Sequence, residues 1–388
     1  MENKKIIDSI TEAFKTLSSQ KPLIVRSPGR VNLIGEHTDY NEGFVLPAAV
    51  DKAIYVAVTK RPDQKIVLFS CEYNEHYEVM MEDMAPTKKG WPNYILGVVA
   101  QLKENKHSIS GFNLSFDGDV PVGAGMSSSA AIECAVVFAL NTLFELGIDK
   151  KKMVQMTQKA EHEYAGVKVG IMDMFASMYG KKDHVIKLDC RSLDYEYVPL
   201  DLKEYKILLL NTNVKHSLAS SAYNKRREQC EEGVALVKKH HPEVHSLRDV
   251  TMEMLDKYVK DVDTVIYDRC KYVIEENERL LHACEDLKKG NIESLGKKMF
   301  ESHEGLSKLY DVSCKELDFL VDHVKNNPAV LGARMMGGGF GGCTINIVKE
   351  DAIDSLIEVT AAAYKKEMNL ELTPYTVDIE DGTSLIEV

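Results

Sequence analysis

Most of the information about the architecture lies in one segment, Pro121-Val-Gly-Ala-Gly-Met-Ser-Ser-Ser-Ala-Ala131. It stands between a predicted strand, Gly111 to Phe116, and a long, mostly apolar helix that the pattern predicts from Ser127 to Leu146. Glycines let a backbone approach a ligand closely. Serines at a helix start offer caps, N–H groups and the positive end of the helix dipole. The segment is therefore either an ordinary capped helix or an anion site suited to phosphate.

Residues 123–129 of this segment, called the glycine–serine loop below, differ from two common nucleotide motifs. They contain no Gly-Lys-Ser/Thr, as a Walker A loop would, and they lack the third glycine of the dinucleotide fingerprint. Because the loop has no lysine, backbone dipoles and a divalent metal ion would have to balance the charge of a bound triphosphate.

A second segment places polar residues between apolar ones. Glu36, His37, Thr38 and Asp39, called the carboxylate loop below, follow Val31 to Ile34 and precede Phe44 to Leu46. One interpretation is a polar hairpin turn, because Asp39 to Gly43 contains turn-forming residues. The other is a hydroxyl-binding loop, because carboxylates accept hydrogen bonds from sugar hydroxyls and an acidic patch does not repel a neutral sugar.

A third segment, Met336-Gly-Gly-Gly-Phe-Gly-Gly-Cys-Thr344, runs into a predicted strand, Thr344 to Val348. Its residues 337–342, called the glycine-rich turn below, are costly in chain entropy. They fit a place where the backbone packs against a loop or a ligand. The alternative is a flexible surface loop, which the apolar flanks disfavour.

A fourth stretch, Ala160 to Asp173, contains two carboxylates of interest. Glu161 falls on a predicted helix, where a solvated charge is the ordinary interpretation. Asp173 follows the apolar Ile171 and Met172, and a carboxylate in apolar surroundings needs a partner. Arg30 is the obvious candidate for that partner.

Composition excludes several classes of protein. The 388 residues are 44% hydrophobic and 28% charged, which is ordinary globular usage. The net charge of −12 disfavours nucleic acid as a main partner. The longest apolar run, Cys134 to Leu140, is too short to span a membrane. Met1 to Leu17 predicts an amphipathic helix rather than a signal peptide, so we expect a cytoplasmic protein with eight reduced cysteines and no membrane partner.

Strand and helix signals are mixed along the chain rather than strictly alternating. A strand-rich region covers about Leu23 to Val79, a charged helical region covers about Ser217 to Tyr310, and a strand returns at Thr376 to Ile379. The predicted class is therefore α+β in two lobes. The predicted lobes are residues 1–200, with the carboxylate loop and the glycine–serine loop, and residues 201–388, with the helical region and the glycine-rich turn.

The order and content of these segments resemble the galactokinases of the GHMP kinase superfamily. Arg30-Val-Asn-Leu-Ile-Gly-Glu-His-Thr-Asp-Tyr-Asn41 is similar to the galactokinase signature, and Pro121 to Ala130 is similar to the superfamily's phosphate loop. The resemblance implies the two-lobed α+β GHMP kinase fold with the active site in the cleft between the lobes. It also implies a monomeric enzyme that phosphorylates α-D-galactose at O1 with ATP and Mg²⁺.

The resemblance also implies roles for individual residues. Asp173 would be the base that faces the C1 hydroxyl, and Arg30 would stabilise charge there. Substrate contacts are expected from Glu36, His37, Thr38, Asp39, Gly170 and Tyr223. The ATP phosphates would lie on Gly123, Ala124, Gly125, Met126, Ser127, Ser128 and Ser129. Mg²⁺ would be held by Ser129 and Glu161, Ser70 would lie near the nucleotide, and Trp91 and Tyr94 would line the adenine pocket. Met174 departs from the family, which usually has glutamine there.

Two rival functions stay open on the sequence. An N-acetylgalactosamine kinase would differ in the room left around the C2 substituent. A sugar sensor would bind both ligands without catalysis, although the intact serines of the glycine–serine loop and Asp173 favour an enzyme.

Overall fold

The computed structural model describes residues 2–214 and 219–387. Its strands are β1 (Leu23–Asn32), β2 (Phe44–Val45), β3 (Pro47–Lys60), β4 (Lys65–Ser70), β5 (Glu75–Met80), β6 (Phe112–Gly118), β7 (His184–Asp189), β8 (Tyr195–Pro199), β9 (Tyr205–Asn211), β10 (Val330–Met335), β11 (Cys343–Lys349), β12 (Thr373–Val377) and β13 (Ser384–Ile386). Its α-helices are α1 (Glu2–Lys15), α2 (Pro92–Glu104), α3 (Ser128–Phe144), α4 (Lys150–Ala160), α5 (Met172–Tyr179), α6 (Ala219–Lys238), α7 (Met252–Tyr258), α8 (Thr264–Lys288), α9 (Ile292–Glu304), α10 (Lys315–Val324) and α11 (Ile353–Met368). A π-helical turn, Glu161–Ala165, continues α4.

The largest sheet has six strands in the order β13-β1-β3-β6-β4-β5. Its neighbours are antiparallel except β4 and β6, which run parallel. The long helix α3 packs on β1 and β3. Its residues 130–137 are all buried, which explains why the sequence reads as apolar almost without interruption.

The edge of this sheet beside β1 is formed by residues from the other end of the sequence. Ile24 lies opposite Ile386, and Arg26 lies opposite Ser384. The hydroxyl groups of Ser27 and Thr383 are 2.8 Å apart in a buried hydrogen bond. Sequence patterning did not indicate β13, because it is only three residues long.

Two smaller sheets complete the strand framework. One has the order β10-β11-β9-β12 and the other has the order β2-β7-β8. The predicted strands at Gly111 to Phe116 and Thr344 to Val348 are present as β6 and β11. The mixture of helices with largely antiparallel sheets confirms the predicted α+β class.

The helical region predicted from about Ser217 to Tyr310 is also present, as α6 to α9 with the short helix Leu247–Asp249. Ser217 itself lies outside the described residues. The proposed boundary near residue 200 between two lobes stays a prediction. Within the described parts of the chain, no helix is both long enough and apolar enough to cross a bilayer.

Candidate active site

One cavity gathers most of the predicted substrate and catalytic residues. It encloses about 800 Å³, part of it open to solvent. Its polar lining consists of Arg30, Glu36, His37, Asp39, Asp173 and Tyr223, and its other lining consists of Val167, Val169, Gly170, Met172 and Gly337 to Gly339. The mixture of apolar surface with a few converging polar groups is typical of small-molecule sites.

Asp173 lies in the first turn of α5 and is held by two donors. Arg30 donates from Nε to Asp173 Oδ1 at 2.8 Å, which confirms the predicted pair. Ser127 donates its hydroxyl hydrogen to Asp173 Oδ2 at 2.7 Å. Because Arg30 also donates to the carbonyl of Gly125, the carboxylate is fixed directly beside the glycine–serine loop.

Glu36 is buried, and its carboxylate already accepts hydrogen bonds from other residues of the protein. Its carboxylate accepts from Arg334 at 2.7 Å and from the backbone N–H of Gly337 at 3.0 Å. Asn32 donates to it at 3.0 Å. An ionised carboxylate has more acceptor positions than these three contacts use. Glu36 therefore fixes the glycine-rich turn against the carboxylate loop and still faces the cavity.

Asp39 depends on a glycine for its position. A Cβ atom added at Gly170 would lie 1.6 Å from Asp39 Oδ2, so only glycine leaves room for this carboxylate. Burial and the nearby charge of Asp173 raise the pKa of Asp39 to about 7. A sugar hydroxyl donating to Asp39 would favour the ionised form.

His37 is neutral at physiological pH. Burial and the charge of Arg226 lower its pKa to about 3. Its Nδ1 lies 2.7 Å from the hydroxyl of Tyr40, which lies 2.7 Å from the hydroxyl of Tyr310. Cys230 Sγ is 3.3 Å from the same Tyr310 hydroxyl, so a buried chain of hydrogen bonds supports the ring from behind.

Thr38 is the predicted substrate residue that the structure does not bring to the cavity. Its side chain is fully buried. Its hydroxyl oxygen lies 2.9 Å from the carbonyl oxygen of Gly35 and 2.5 Å from that of Phe44, and these two acceptors share its one hydrogen. Thr38 therefore closes the turn of the carboxylate loop, as the alternative hairpin interpretation would have it.

The glycine–serine loop has the backbone geometry that its glycines predict. Gly123 and Gly125 have φ values of 77° and 74°, a region that favours glycine. Ala124 and Met126 are fully buried, so in this structure neither of these two predicted phosphate contacts presents an atom to a ligand. Ser127 does not cap α3 through its side chain, contrary to the expected cap, because its hydroxyl is used on Asp173.

The glycine-rich turn packs against the glycine–serine loop. A Cβ atom at Gly125 would lie 3.3 Å from the carbonyl oxygen of Met336, and one at Gly337 would lie 3.6 Å from Gly125 Cα. Of the two interpretations of this turn, close backbone packing is confirmed.

A second cavity is lined in part by the first turn of α3. Trp91 and Tyr94 line it, as predicted, together with Ser128 and Ser129. Tyr73 and Phe116, which sequence reasoning missed, contribute two further aromatic rings. Ser70 does not reach this cavity. It is fully buried at the end of β4, and its hydroxyl lies 3.4 Å from the backbone nitrogen of Tyr73.

The two predicted metal ligands lie near each other, because the Ser129 hydroxyl acts to lower the pKa of Glu161 against the larger effect of burial. Glu161 is 6% exposed at the start of the π-helical turn. Burial and the charge of Asp173 raise the pKa of Glu161 to about 7. The described residues contain no group of three or more His, Cys, Asp or Glu that could hold a metal ion. A hydroxyl and a carboxylate nevertheless fit Mg²⁺, which binds oxygen and usually takes one or two carboxylates beside substrate phosphates.

Several residues at the site carried no sequence signal. Arg334 precedes the glycine-rich turn, and Tyr310 lies far along the chain from His37. The positions of Arg334 and Tyr310 in the sequence do not indicate that the fold places them near Glu36 and His37. Ser127 was found as a loop residue, but its contact with Asp173 depends on the placement of α5.

Comparisons with known proteins agree with this geometry. The chain matches the model of the galactokinase galactose-binding signature over residues 12–60. It also matches the models of the GHMP kinase N-terminal domain over residues 93–181 and the GHMP kinase C-terminal domain over residues 283–366. The first match contains the carboxylate loop, and the second contains the glycine–serine loop and Asp173.

Related proteins and structures cover nearly the whole chain. Galactokinase from Thermotoga petrophila is 42% identical over 93% of this chain and 99% of its own length. Galactokinase from Clostridium acetobutylicum is 40% identical over 98% and 99%. The crystal structure of Lactococcus lactis galactokinase complexed with galactose is 33% identical, covers 98% of this chain and 99% of its own, and has a TM-score of 0.93. Mevalonate kinase from Methanococcus jannaschii, 18% identical with a TM-score of 0.64, shares the fold. Two galactokinases are thus 40% and 42% identical to this chain over nearly its full length, and residues of the galactose-binding signature line the first cavity. The chain belongs to the galactokinase family of GHMP kinases.

Proposed function

We propose that this chain transfers the γ-phosphoryl group of ATP to O1 of α-D-galactose, which gives α-D-galactose 1-phosphate and ADP. Relatives named galactokinase over nearly the full chain support this reaction, as does the structural similarity to a galactokinase solved with galactose. The observation that carries the proposal is the position of Asp173. Its carboxylate faces the polar cavity while Arg30 and Ser127 tie it to the glycine–serine loop.

The sugar site follows from the polar lining of the first cavity. Asp39 and the free acceptor position of Glu36 would accept hydrogen bonds from sugar hydroxyls. His37, being neutral, keeps a lone pair on one ring nitrogen and a hydrogen on the other. A buried site of this kind rejects a sugar with a misplaced hydroxyl, because its acceptors would be left unpaired.

The nucleotide site follows from the second cavity and the loop beside it. Tyr73, Trp91 and Tyr94 suit the flat face of adenine. Backbone N–H groups of the glycine–serine loop and the positive end of α3 suit the phosphates. Ser129 and Glu161 would hold Mg²⁺, which neutralises phosphate charge when it is bound.

The reaction then needs positioning and one proton acceptor. Asp173 takes the proton of the O1 hydroxyl as O1 forms a bond to the γ-phosphorus. The bond between that phosphorus and the bridging oxygen breaks, and its electron pair leaves with ADP. Arg30 stabilises the negative charge between the two sites, because its guanidinium has more donors than its two contacts use. A general base contributes about 10² to 10⁴-fold to such a step.

Asp173→Asn tests the proposal. The variant should bind galactose in isothermal titration calorimetry with an affinity close to that of the unaltered protein. It should lose galactose-dependent ADP release by at least about a hundred-fold. The exposed Asp322→Asn serves as the matched control. Near-normal turnover of Asp173→Asn would remove Asp173 from the mechanism.

A hexose panel with ATP and Mg²⁺, read by NMR of the product, identifies the sugar and the phosphorylated oxygen. Preference for N-acetylgalactosamine at equal concentration would favour the first rival function. Galactose binding with no ADP above background in the unaltered protein would favour the sensor. The monomeric state and the cytoplasmic location stay predictions, and light scattering after size-exclusion chromatography tests the first.

A further inference from the structure

Glu133 is a buried carboxylate that the proposed reaction does not use. It lies on α3 one helical turn after Ser129 and is fully buried. Both of its carboxylate oxygens lack a hydrogen-bond partner among the described residues. Carboxylates are rarely buried without a partner, because removing their charge from water is costly.

The position of Glu133 explains what it faces. Residues separated by one helical turn lie on the same side of a helix, so Glu133 and Ser129 share one face of α3. The Ser129 hydroxyl acts to lower the pKa of Glu161, which places these two residues near each other. Burial raises the pKa of Glu133, and the charge of Glu161 raises it further. Burial and the charges of both glutamates raise the pKa of Tyr94. Glu133 therefore lies on the same side of α3 as Ser129, which lines the second cavity together with Tyr94.

A buried carboxyl group with unpartnered oxygen atoms is neutralised either by a proton, which its raised pKa favours, or by a bound cation. Mg²⁺ prefers oxygen donors and keeps several of its waters, which donate hydrogen bonds to nearby acceptors. We propose that Glu133 is a second carboxylate of the cation site, which holds a hydrated divalent ion together with Ser129 and Glu161. This inference rests on the proposed cation site and adds to it a residue whose oxygens are otherwise unused.

Mn²⁺ binding to the complex of the protein with ADP provides the test, because its paramagnetism reports binding without any turnover. We expect Glu133→Gln to weaken Mn²⁺ binding by about ten-fold or more, the effect typical of residues that support a metal site. Glu161→Gln should weaken it as well. Glu163→Gln is the matched control, since Glu163 is an exposed carboxylate on the same π-helical turn, and it should leave the affinity within about two-fold. Unchanged Mn²⁺ affinity in Glu133→Gln would overturn the inference.

A measurement on the unaltered protein covers the case in which Glu133→Gln does not fold. In crystals grown with Mn²⁺ and ADP, the anomalous difference peak should lie within about 5 Å of the Glu133 carboxylate, the reach of one bridging water. A peak farther away would refute the inference. Galactose-dependent ADP release by the unaltered protein is assayed separately. If the unaltered protein releases no ADP with galactose, the proposed function is wrong. The Mn²⁺ measurements then still decide the role of Glu133.

Discussion

Ser127 donates its hydroxyl hydrogen to Oδ2 of Asp173 at 2.7 Å. The two residues belong to different elements, the entry to α3 and the first turn of α5. This bond makes the glycine–serine loop part of the support of the carboxylate that we propose as the base. A loop movement on nucleotide binding would therefore change the position of Asp173.

Ser127→Ala should lower kcat more than it changes the galactose KM. Hydrogen bonds to charged groups contribute about 1.5 to 3 kcal/mol, which corresponds to a fall of about ten- to a hundred-fold. Steady-state kinetics with both substrates checks this. Ser355→Ala removes an exposed hydroxyl on α11 and should leave kcat unchanged. An equal kcat in both variants would show that the contact with Ser127 has no catalytic effect.

Arg334→Met should destabilise the protein strongly. Arg334 is fully buried and donates to Glu36 and to the carbonyls of Asn32 and Leu33. Removing one partner of a buried ion pair leaves an unpaired charge and costs about 3 to 5 kcal/mol. Urea unfolding measures the loss. Lys365→Met removes one partner of an exposed pair with Glu371 and should change the free energy of unfolding by less than about 1 kcal/mol. Similar losses in the two variants would contradict the argument.

Gly170→Ala should raise the galactose KM by about ten-fold or more while leaving the ATP KM unchanged. Its methyl group would occupy the place of Asp39 Oδ2 and displace that carboxylate from the cavity. Gly90→Ala is the comparison, because no atom lies within 4 Å of its added Cβ although its φ is 81°. Gly90→Ala should cost about 1 kcal/mol of stability with a normal galactose KM. A normal galactose KM in Gly170→Ala would show that galactose binding does not depend on the observed position of the Asp39 carboxylate.

The pKa of Asp39 gives the free energy of unfolding a pH dependence. The folded-state pKa of about 7 is above the ordinary value of 3.8. Between these values the folded protein binds the extra proton, so this group stabilises the protein at low pH and the stabilisation is lost as pH rises to 7. Asp39→Asn removes the titration. Its stability relative to the unaltered protein should therefore increase by about 1 to 3 kcal/mol from pH 5 to pH 8.

Urea unfolding at both pH values measures that difference, with Asp322→Asn as the control for an exposed carboxylate. We expect no pH-dependent gain in the control. If the difference in the free energy of unfolding between Asp39→Asn and the unaltered protein is the same at pH 5 and pH 8, Asp39 does not titrate in this range.

Tyr310→Phe should raise the galactose KM a few-fold, since it removes the hydroxyl that joins Tyr40 to Cys230 behind His37. Loss of a typical hydrogen bond also costs about 1 kcal/mol of stability. Tyr364→Phe is a matched control, because Tyr364 is equally buried and its hydroxyl donates to the carbonyl of Thr212 away from the cavity. It should show the stability loss with a normal galactose KM. Equal KM values in the two variants would refute the supporting role of the chain.

Sequence reasoning worked best where a local pattern has a local cause. The glycines of the glycine–serine loop and the apolar length of α3 each predicted the structure found there, and three of the four residues from Glu36 to Asp39 line the cavity. The pair of Arg30 and Asp173 was also predicted, because a carboxylate among apolar residues has few possible partners.

It failed where position depends on packing between distant segments. Thr38 belongs to the polar run, but the turn directs its hydroxyl inward to Gly35 and Phe44. Ser70 ends a strand and is fully buried, and the second cavity is lined instead by Tyr73, three residues later in the chain. The isolated buried glutamate on α3 gave no signal either, since Glu133 stands in a run that reads as core.

The pairing of β13 with β1 has a consequence for biosynthesis. The strand that carries Arg30 stays an open edge on one side until residues 384–386 have left the ribosome. The residues that line both cavities are therefore translated before the last strand of this sheet. A premature stop ahead of Ser384 would leave that edge free to pair with another nascent chain.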